Sequence, residues 1–211
     1  MPRVLITAGP TRESLDPVRF ISNASSGQQG IALAEEALAR GLDVDLVHGP
    51  LEWKTPAGAT PHPVTTAEEM LAACRRLHPS CDYMIGAAAV SDYRPRDPAR
   101  SKRKRDGAPW ILELVPTEDI LATLGKEKGK RVHAGFALET ENLVDNAMRK
   151  LRSKSLDWIV ANSPEAIGTA TSRCILLGAD GTRLELGVTS KREVARQLLD
   201  AMERTARLRG A

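Results

Sequence analysis

The chain has 211 residues, 30 Lys and Arg against 27 Asp and Glu, and a formal charge of +3, enough for one domain with a real core and too balanced for a long-polyanion binder. Hydrophobic residues at 42% and charged residues at 27% exclude disorder and collagen-like structure, and an aromatic share of 3% argues against base-stacking platforms. The three cysteines form no CxxC pair, and neither they nor the four scattered histidines have zinc-site spacing, which points to a reducing, cytoplasmic setting without a disulfide framework.

The opening run RVLITAGP reads as a strand and is too short for a signal-peptide core or a membrane span. Behind it stands DPVRFISNASSGQQG (residues 16 to 30), longer than the few residues that join a strand to its helix in parallel α/β units. The first helix is expected from Ser26 to Arg40, with Ile31, Ala34, Ala37 and Leu38 on one face and Gly41 as its stop. DVDLVHG is the next buried strand. Thr66 and Glu69 form a capping box for a helix through Met70, Cys74 and Leu77, and DYMIGAAAV is a third strand. Residues 93 to 116, basic and Pro-containing, interrupt the alternation, which resumes with RVHAGFAL, the helical ENLVDNAMRKLRSKS and LDWIVAN. Residues 174 to 188 read as a hairpin over an Asp-Gly turn, and Ser190 with Glu193 boxes the start of a C-terminal helix.

Strand and helix alternating in this way make βαβ units. The expected fold is α/β: a Rossmann-like, doubly wound, mainly parallel sheet with helices on both faces, in a single domain over 1–211 with a flap at about 93–116 and a hairpin at about 174–188. Ligands of such sheets bind beyond the carboxyl ends of the strands, and the unusual segments all follow strands.

SSGQQG admits two readings, a helix start with free N–H groups aimed at an anion, or a Ser cap with glycines for close packing. It is no dinucleotide fingerprint: Gly9 and Gly27 are too far apart, and His48 and Gly49 stand where an acidic ribose partner belongs. No P-loop is present. Arg19 offers a planar fork for phosphate or carboxylate, and Asn23 a donor and an acceptor. Lys102 and Lys104 project to one side if their segment is extended, as a lid for phosphates or as a solvated face. Lys150 and Lys154 share a helix edge, and Asp92 ends a strand where it either binds a hydroxyl or metal or caps a turn. No G-x-S-x-G occurs and no Tyr-x-x-x-Lys follows Tyr83 or Tyr93, so the site is one of donors and cations, suited to charge developing on phosphates.

ITAGPTRESLDPVRFISNASSGQQG, GAAAVSDYRP, the Lys-x-Lys of SKRKR, EDIL, GFALET and RKLRSK, in that order, resemble the phosphopantothenate-cysteine ligases of coenzyme A biosynthesis over nearly the whole chain. The resemblance implies that 4'-phosphopantothenate attacks CTP, with Mg²⁺, to give an acyl-cytidylate and pyrophosphate, after which cysteine displaces CMP. By matching position it implies catalytic roles for Asn23 and Lys102 and substrate contacts from Arg19, Ser25, Ser26 and Gly27. Nucleotide contacts would come from Gly9, Gly86, Ala87, Ala88, Asp92, Lys102, Asp119, Ile120, Leu121, Phe136, Lys150 and Lys154, with no metal ligand assigned and no flavin expected. It further implies a homodimer, with the hairpin as dimer element or sheet extension, and association with a decarboxylase flavoprotein, but neither membrane nor nucleic-acid partners. Two positions depart from the family pattern: Arg105 replaces a lysine of the flap, and Glu118 replaces a proline, which puts the local turn and part of the base specificity in question. CTP is expected over ATP, in either a stand-alone ligase or one half of a bifunctional protein. The competing readings are an NAD(P)-dependent oxidoreductase and a nucleic-acid module using residues 101–105.

Overall fold

A computed structural model describes residues 1–162 and 171–210. In chain order the strands are β1 (Arg3–Ala8), β2 (Arg12–Ser14), β3 (Phe20–Ser22), β4 (Asp43–His48), β5 (Thr60–Pro63), β6 (Tyr83–Gly86), β7 (Tyr93–Pro95), β8 (Leu114–Pro116), β9 (Val132–Leu138), β10 (Trp158–Asn162), β11 (Thr171–Gly178) and β12 (Arg183–Ser190). The α-helices are α1 (Gln28–Ala39), α2 (Ala67–Leu77), α3 (Ile120–Gly125), α4 (Leu143–Ser153) and α5 (Lys191–Gly210). No helix among the described residues is long and apolar enough to cross a membrane.

Eight strands form one sheet in the order β12-β11-β10-β9-β6-β1-β4-β5, parallel from β5 through β10 and antiparallel at β11 and β12. The apolar runs read from sequence become its middle, with Val4, Leu5, Ile6, Leu46, Ile85, Ala134 and Val160 all without exposure. Continuous Val/Ile/Leu runs fit strands covered on both faces. One core cluster packs α1 and α5 residues such as Leu33, Leu198 and Leu199 on the sheet, and two others pack Met70, Cys74 and Leu124, and Ala147 and Leu151, from α2, α3 and α4. The chain runs from β1 outward through β4 and β5, then returns to β6 on the other side of β1, which puts the topological switch point between β1 and β6.

Several local readings need correction. α1 begins at Gln28 rather than Ser26: Gly27 is its cap at φ +74°, without a side-chain cap, and the Ser25 hydroxyl accepts the Gly27 N–H at 3.3 Å. The Thr66 capping box forms in full. At α5 only half of the expected box exists, because Ser190 Oγ accepts the Glu193 N–H at 3.1 Å while the Glu193 carboxylate is drawn to Arg196 and Gln197. The 174–188 hairpin has longer arms, β11 and β12, and extends the main sheet over an Asp180-Gly181 turn. The long loop holds its own ribbon, β2 with β3, and the flap is closed at its base by β7 with β8. β5 went unread because its two prolines hide it, and it lies at the sheet edge where prolines are tolerated.

At the opposite end of the sheet two buried histidines face one another, His78 Nε2 and His133 Nε2 being 2.9 Å apart. Burial, the repulsion that a proton on His78 would exert and the Lys128 ammonium push His133 down to about 3, and burial followed by Arg131 lowers His78. Both rings are therefore neutral in the fold, while in the unfolded chain they protonate near pH ~6.5. Stability is accordingly full above that pH and is lost as pH falls from ~6.5 toward ~3, since the unfolded state binds the extra protons. Urea midpoints measured at pH 7, 6, 5 and 4.5 should decline steadily, and a flat series would contradict the neutral buried pair.

Candidate functional site

The site grows from the crossing of β1 and β6 at their carboxyl ends. Past Gly86 the backbone turns over β1 and is stitched to it: Ala87 N donates to Thr7 O at 3.2 Å, Ala89 N to Gly9 O at 2.9 Å, and Thr11 N to Ala89 O at 3.3 Å. Two buried hydroxyls add to this, Thr7 Oγ1 accepting from Ala88 N at 3.2 Å and Thr11 Oγ1 from Ser91 N at 2.9 Å. Asn23 completes the stitch from the long loop, with Nδ2 donating to the carbonyls of Val90 at 2.9 Å and Ala89 at 3.3 Å. Thr117 ties in the flap base, its hydroxyl donating to Ser91 O at 2.6 Å.

α1 then approaches unusually closely. A Cβ on Gly30 would collide with Ala8, and one on Gly27 would lie 3.2 Å from Gly9 Cα. Glycine is required at 27 twice over, by this contact and by its left-handed φ. The packing reading of SSGQQG is thus realised, and it puts the start of α1, Gly27 to Gln29, on the wall of the crevice, at the helix end whose dipole favours an anion.

The crevice has two chambers on either side of segment 86–92. The larger, about 490 Å³, is walled by the Asn23–Gln29 stretch, Ala87, Ala88, Asp92, Phe136 and Lys150. The smaller, about 210 Å³, is walled by Gly86, Asp119, Ile120, Leu121 and Lys154, and shares Ala88, Asp92 and Phe136 with the first. Most sequence-derived candidates therefore converge. Gly9 stands behind Gly27 as support. Lys102 lies exposed on the flap outside both walls, and Arg19 turns away to Asp16 and the flap.

Charge pairing divides the cations. Lys150 pairs with Glu139 at 2.7 Å and Lys154 with Asp119 at 2.9 Å, while Asp119 also caps α3 by accepting the Ala122 N–H at 2.9 Å. Lys191, unread from sequence, lines the larger chamber half-buried, has no carboxylate partner among the described residues, and is lowered in pKa by burial. Gln28, Gln29 and Asn162 also line this chamber, Gln29 reaching the Lys191 carbonyl at 3.1 Å and Asn162 keeping a buried Oδ1 without a hydrogen-bond partner among the described residues. Lys191 follows Ser190 at a helix start, where nothing local distinguishes it from a solvated lysine; Asn162 could have been flagged as the polar end of an apolar strand. Glu118 holds its turn without the family proline, bonding Arg75 at 2.6 Å and the Thr123 hydroxyl at 3.0 Å. Among the described residues no cluster of three or more His, Cys, Asp or Glu could cage a metal.

Fold and crevice define a mainly parallel α/β domain whose crevice, at the carboxyl ends of its strands, is lined by lysines and the start of a helix. The chain belongs to the family described as DNA/pantothenate metabolism flavoprotein C-terminal domain, whose model matches residues 1–205. It is 40% identical over 201 residues to the coenzyme A biosynthesis bifunctional protein CoaBC of Bacillus subtilis (strain 168), with 93% of this chain and 50% of that protein covered. The chain thus spans about half the length of the curated relatives it matches. A crystal structure of the C-terminal domain of CoaBC superposes with a TM-score of 0.84 at 38% identity, covering 100% of this chain and 97% of that one. A Cab2 mutant in complex with phosphopantothenate-cysteine has a TM-score of 0.80 at 19% identity, covers 100% of this chain and 89% of its own, and shares the fold.

Replacing Asp119 with Ala removes the α3 cap and frees Lys154. The expected loss is about 1 kcal/mol from the cap, read by chemical denaturation. Unchanged stability would mean that the cap is not holding α3.

Proposed function

We propose that this chain is the ligase of coenzyme A biosynthesis that joins 4'-phosphopantothenate to L-cysteine, using CTP. The observation that carries this reading is a crevice at the switch point furnished with amides and cations, in a family member whose named relatives act in coenzyme A biosynthesis. The chemistry follows from what a carboxylate lacks. An amine cannot expel its oxygen, so the oxygen must first become part of a good leaving group.

In the first step a carboxylate oxygen attacks the α-phosphorus of CTP, forming the acyl-cytidylate and breaking the bond to pyrophosphate. In the second, the cysteine amine attacks the acyl carbon, the C–O bond breaks, CMP leaves, and the amine gives up a proton. Negative charge develops on phosphate oxygens in the first step, and preorganised donors and cations stabilise it without reorganisation. The α1 amides and Lys191 serve the larger chamber, Lys150 and Lys154 exchange their carboxylate partners for phosphates, and Lys102 is delivered by the flap. Asn23 holds the floor beside the acyl group and stabilises the acyl-cytidylate. Arg19 and the Ser25–Gly27 turn serve phosphopantothenate, and the smaller chamber between Gly86 and Leu121 takes nucleotide.

Asp92, on the wall of both chambers, would be the carboxylate available to a Mg²⁺ carried in with the triphosphate, since magnesium keeps most of its shell as water and phosphate and needs few protein carboxylates. When bound it neutralises phosphate charge. Further parts of the reading are a homodimer, a cytoplasmic location, and a decarboxylase flavoprotein as partner or fused half, in line with a relative named as bifunctional. A dinucleotide oxidoreductase is disfavoured: Leu51 packs over Gly9 and Gly27, where a dinucleotide fold keeps a tight glycine turn for pyrophosphate.

The test is pyrophosphate release with 4'-phosphopantothenate, Mg²⁺ and CTP or ATP, with and without cysteine. Release dependent on phosphopantothenate is expected, and its absence with both nucleotides would refute the ligase reading. Lys102→Gln should lower that release at least ~100-fold, the scale of losing one transition-state donor. Asn23→Asp should instead slow amide formation while CTP binding persists, because Asp cannot donate to the Ala89 and Val90 carbonyls. Equal loss of CTP affinity in both variants would overturn this division of roles.

A further inference from the structure

The flap's conformation is set by a residue of the long loop. Asp16 is a buried carboxylate, 2% exposed, between β2 and β3. Its Oδ1 accepts the N–H groups of Val18 and Arg19, both at 2.9 Å, in an Asx-type turn. Its Oδ2 accepts Arg19 Nη1 at 3.1 Å and, from 87 residues away in sequence, the Arg103 N–H at 3.3 Å. Burial alone would raise the Asp16 pKa, but the N–H groups of Val18, Arg19 and Arg103 outweigh it and hold the carboxyl below its ordinary range, so it is ionised at neutral pH.

Arg19 repeats the connection. Its Nη2 donates to Arg103 O at 3.3 Å, so the Arg103 backbone is gripped at both its N–H and its C=O from the long loop. The guanidinium carbons of Arg19 and Arg103 lie 5.5 and 5.1 Å from the ring centre of Trp110, half-buried on the flap's returning limb. Ala99 N adds a bond to Leu15 O at 2.9 Å. Among the described residues, no carboxylate other than Asp16 accepts from both the long loop and the flap. The residue it grips is flanked by Lys102 and Lys104.

We propose that Asp16 is a positioning residue for Lys102: by holding the Arg103 backbone and the Arg19 fork it latches the flap to the long loop and sets where the flap lysines stand. This rests on the reading of Lys102 as the flap residue of the activation step. The latch acts on a transition-state donor through the Arg103 backbone and on the phosphopantothenate contact through Arg19, so weakening it should lower the turnover of pyrophosphate release even with both substrates saturating. It also gives Arg19 a place in the site although it lines neither chamber.

The experiment compares the whole chain with Asp16→Asn and Asp16→Glu. Flap order is read by the rate of tryptic cleavage after Arg100, Lys102, Arg103, Lys104 and Arg105, followed by mass spectrometry, and function by CTP-dependent pyrophosphate release. Asn keeps an acceptor at one position but presents an NH₂ at the other, facing donors. Asp16→Asn should speed cleavage about tenfold or more and lower turnover by about the same factor, the scale of a lost hydrogen bond to a charged group. Asp16→Glu, which keeps the charge, should recover part of both. Unchanged cleavage in Asp16→Asn overturns the latch; faster cleavage with unchanged turnover overturns the positioning role. Failure of the unsubstituted chain to release pyrophosphate refutes the ligase reading, and with it the role for Lys102, while cleavage still decides the latch. If Asp16→Asn does not fold, as judged by its thermal transition, Trp110→Ala removes the stack from the flap side and is held to the same cleavage and turnover outcomes.

Discussion

The site depends on one constraint: the backbone after β6 must cross the carboxyl end of β1 in hydrogen-bonding register. Buried backbone groups at that crossing have no water to turn to, so each must find a partner within the fold. Thr7 and Thr11 supply hydroxyls for the amides of Ala88 and Ser91, and Asn23 supplies donors for the Ala89 and Val90 carbonyls. The crossing divides the crevice, so these small polar residues set the shape of both chambers. Gly30 on Ala8 and Gly27 on Gly9 let α1 descend onto the same point, bringing its free amides to the larger chamber.

Electrostatics around the crevice are arranged for exchange. Lys154 is held by Asp119 in a partly exposed pair that is worth little, so a phosphate could replace that carboxylate at small cost, whereas Glu139 is largely buried and would lose its cation if Lys150 turned to a phosphate. Lys191 lacks such a partner among the described residues, and burial already weakens its hold on its proton, so an incoming anion relieves rather than disrupts it. Where charge is structural the geometry differs. Asp157, 4% exposed, is held by Lys128, Arg209 and the His133 N–H far from the crevice, in a network with nothing left to give up.

The flap joins these regions. Its base is a two-stranded ribbon pinned by Thr117 to Ser91, and its tip is gripped by the long loop through Asp16 and Arg19. The stretch that opens as an overlong strand-to-helix connection therefore does three jobs: Asn23 supports the floor, Gly27 starts the helix, and Asp16 holds the lid.

The sequence by itself determined the sheet, the helices on both faces, the end of the sheet at which the crevice opens and most of the residues that line it, because those follow from local periodicity, capping and chain order. Thr66 with Glu69 was legible as a full capping box since both partners lie within one turn. Ser190 with Glu193 looked the same and was only half right, because Arg196 and Gln197 competed for the carboxylate. Tertiary structure alone decided that Arg19 and Asp16 serve the flap, that Lys191 and Asn162 line the larger chamber, and that α1 starts at a left-handed Gly27. Each of those depends on groups brought together from distant parts of the chain, and a contact between residues 16 and 103 leaves no trace in either one's neighbours.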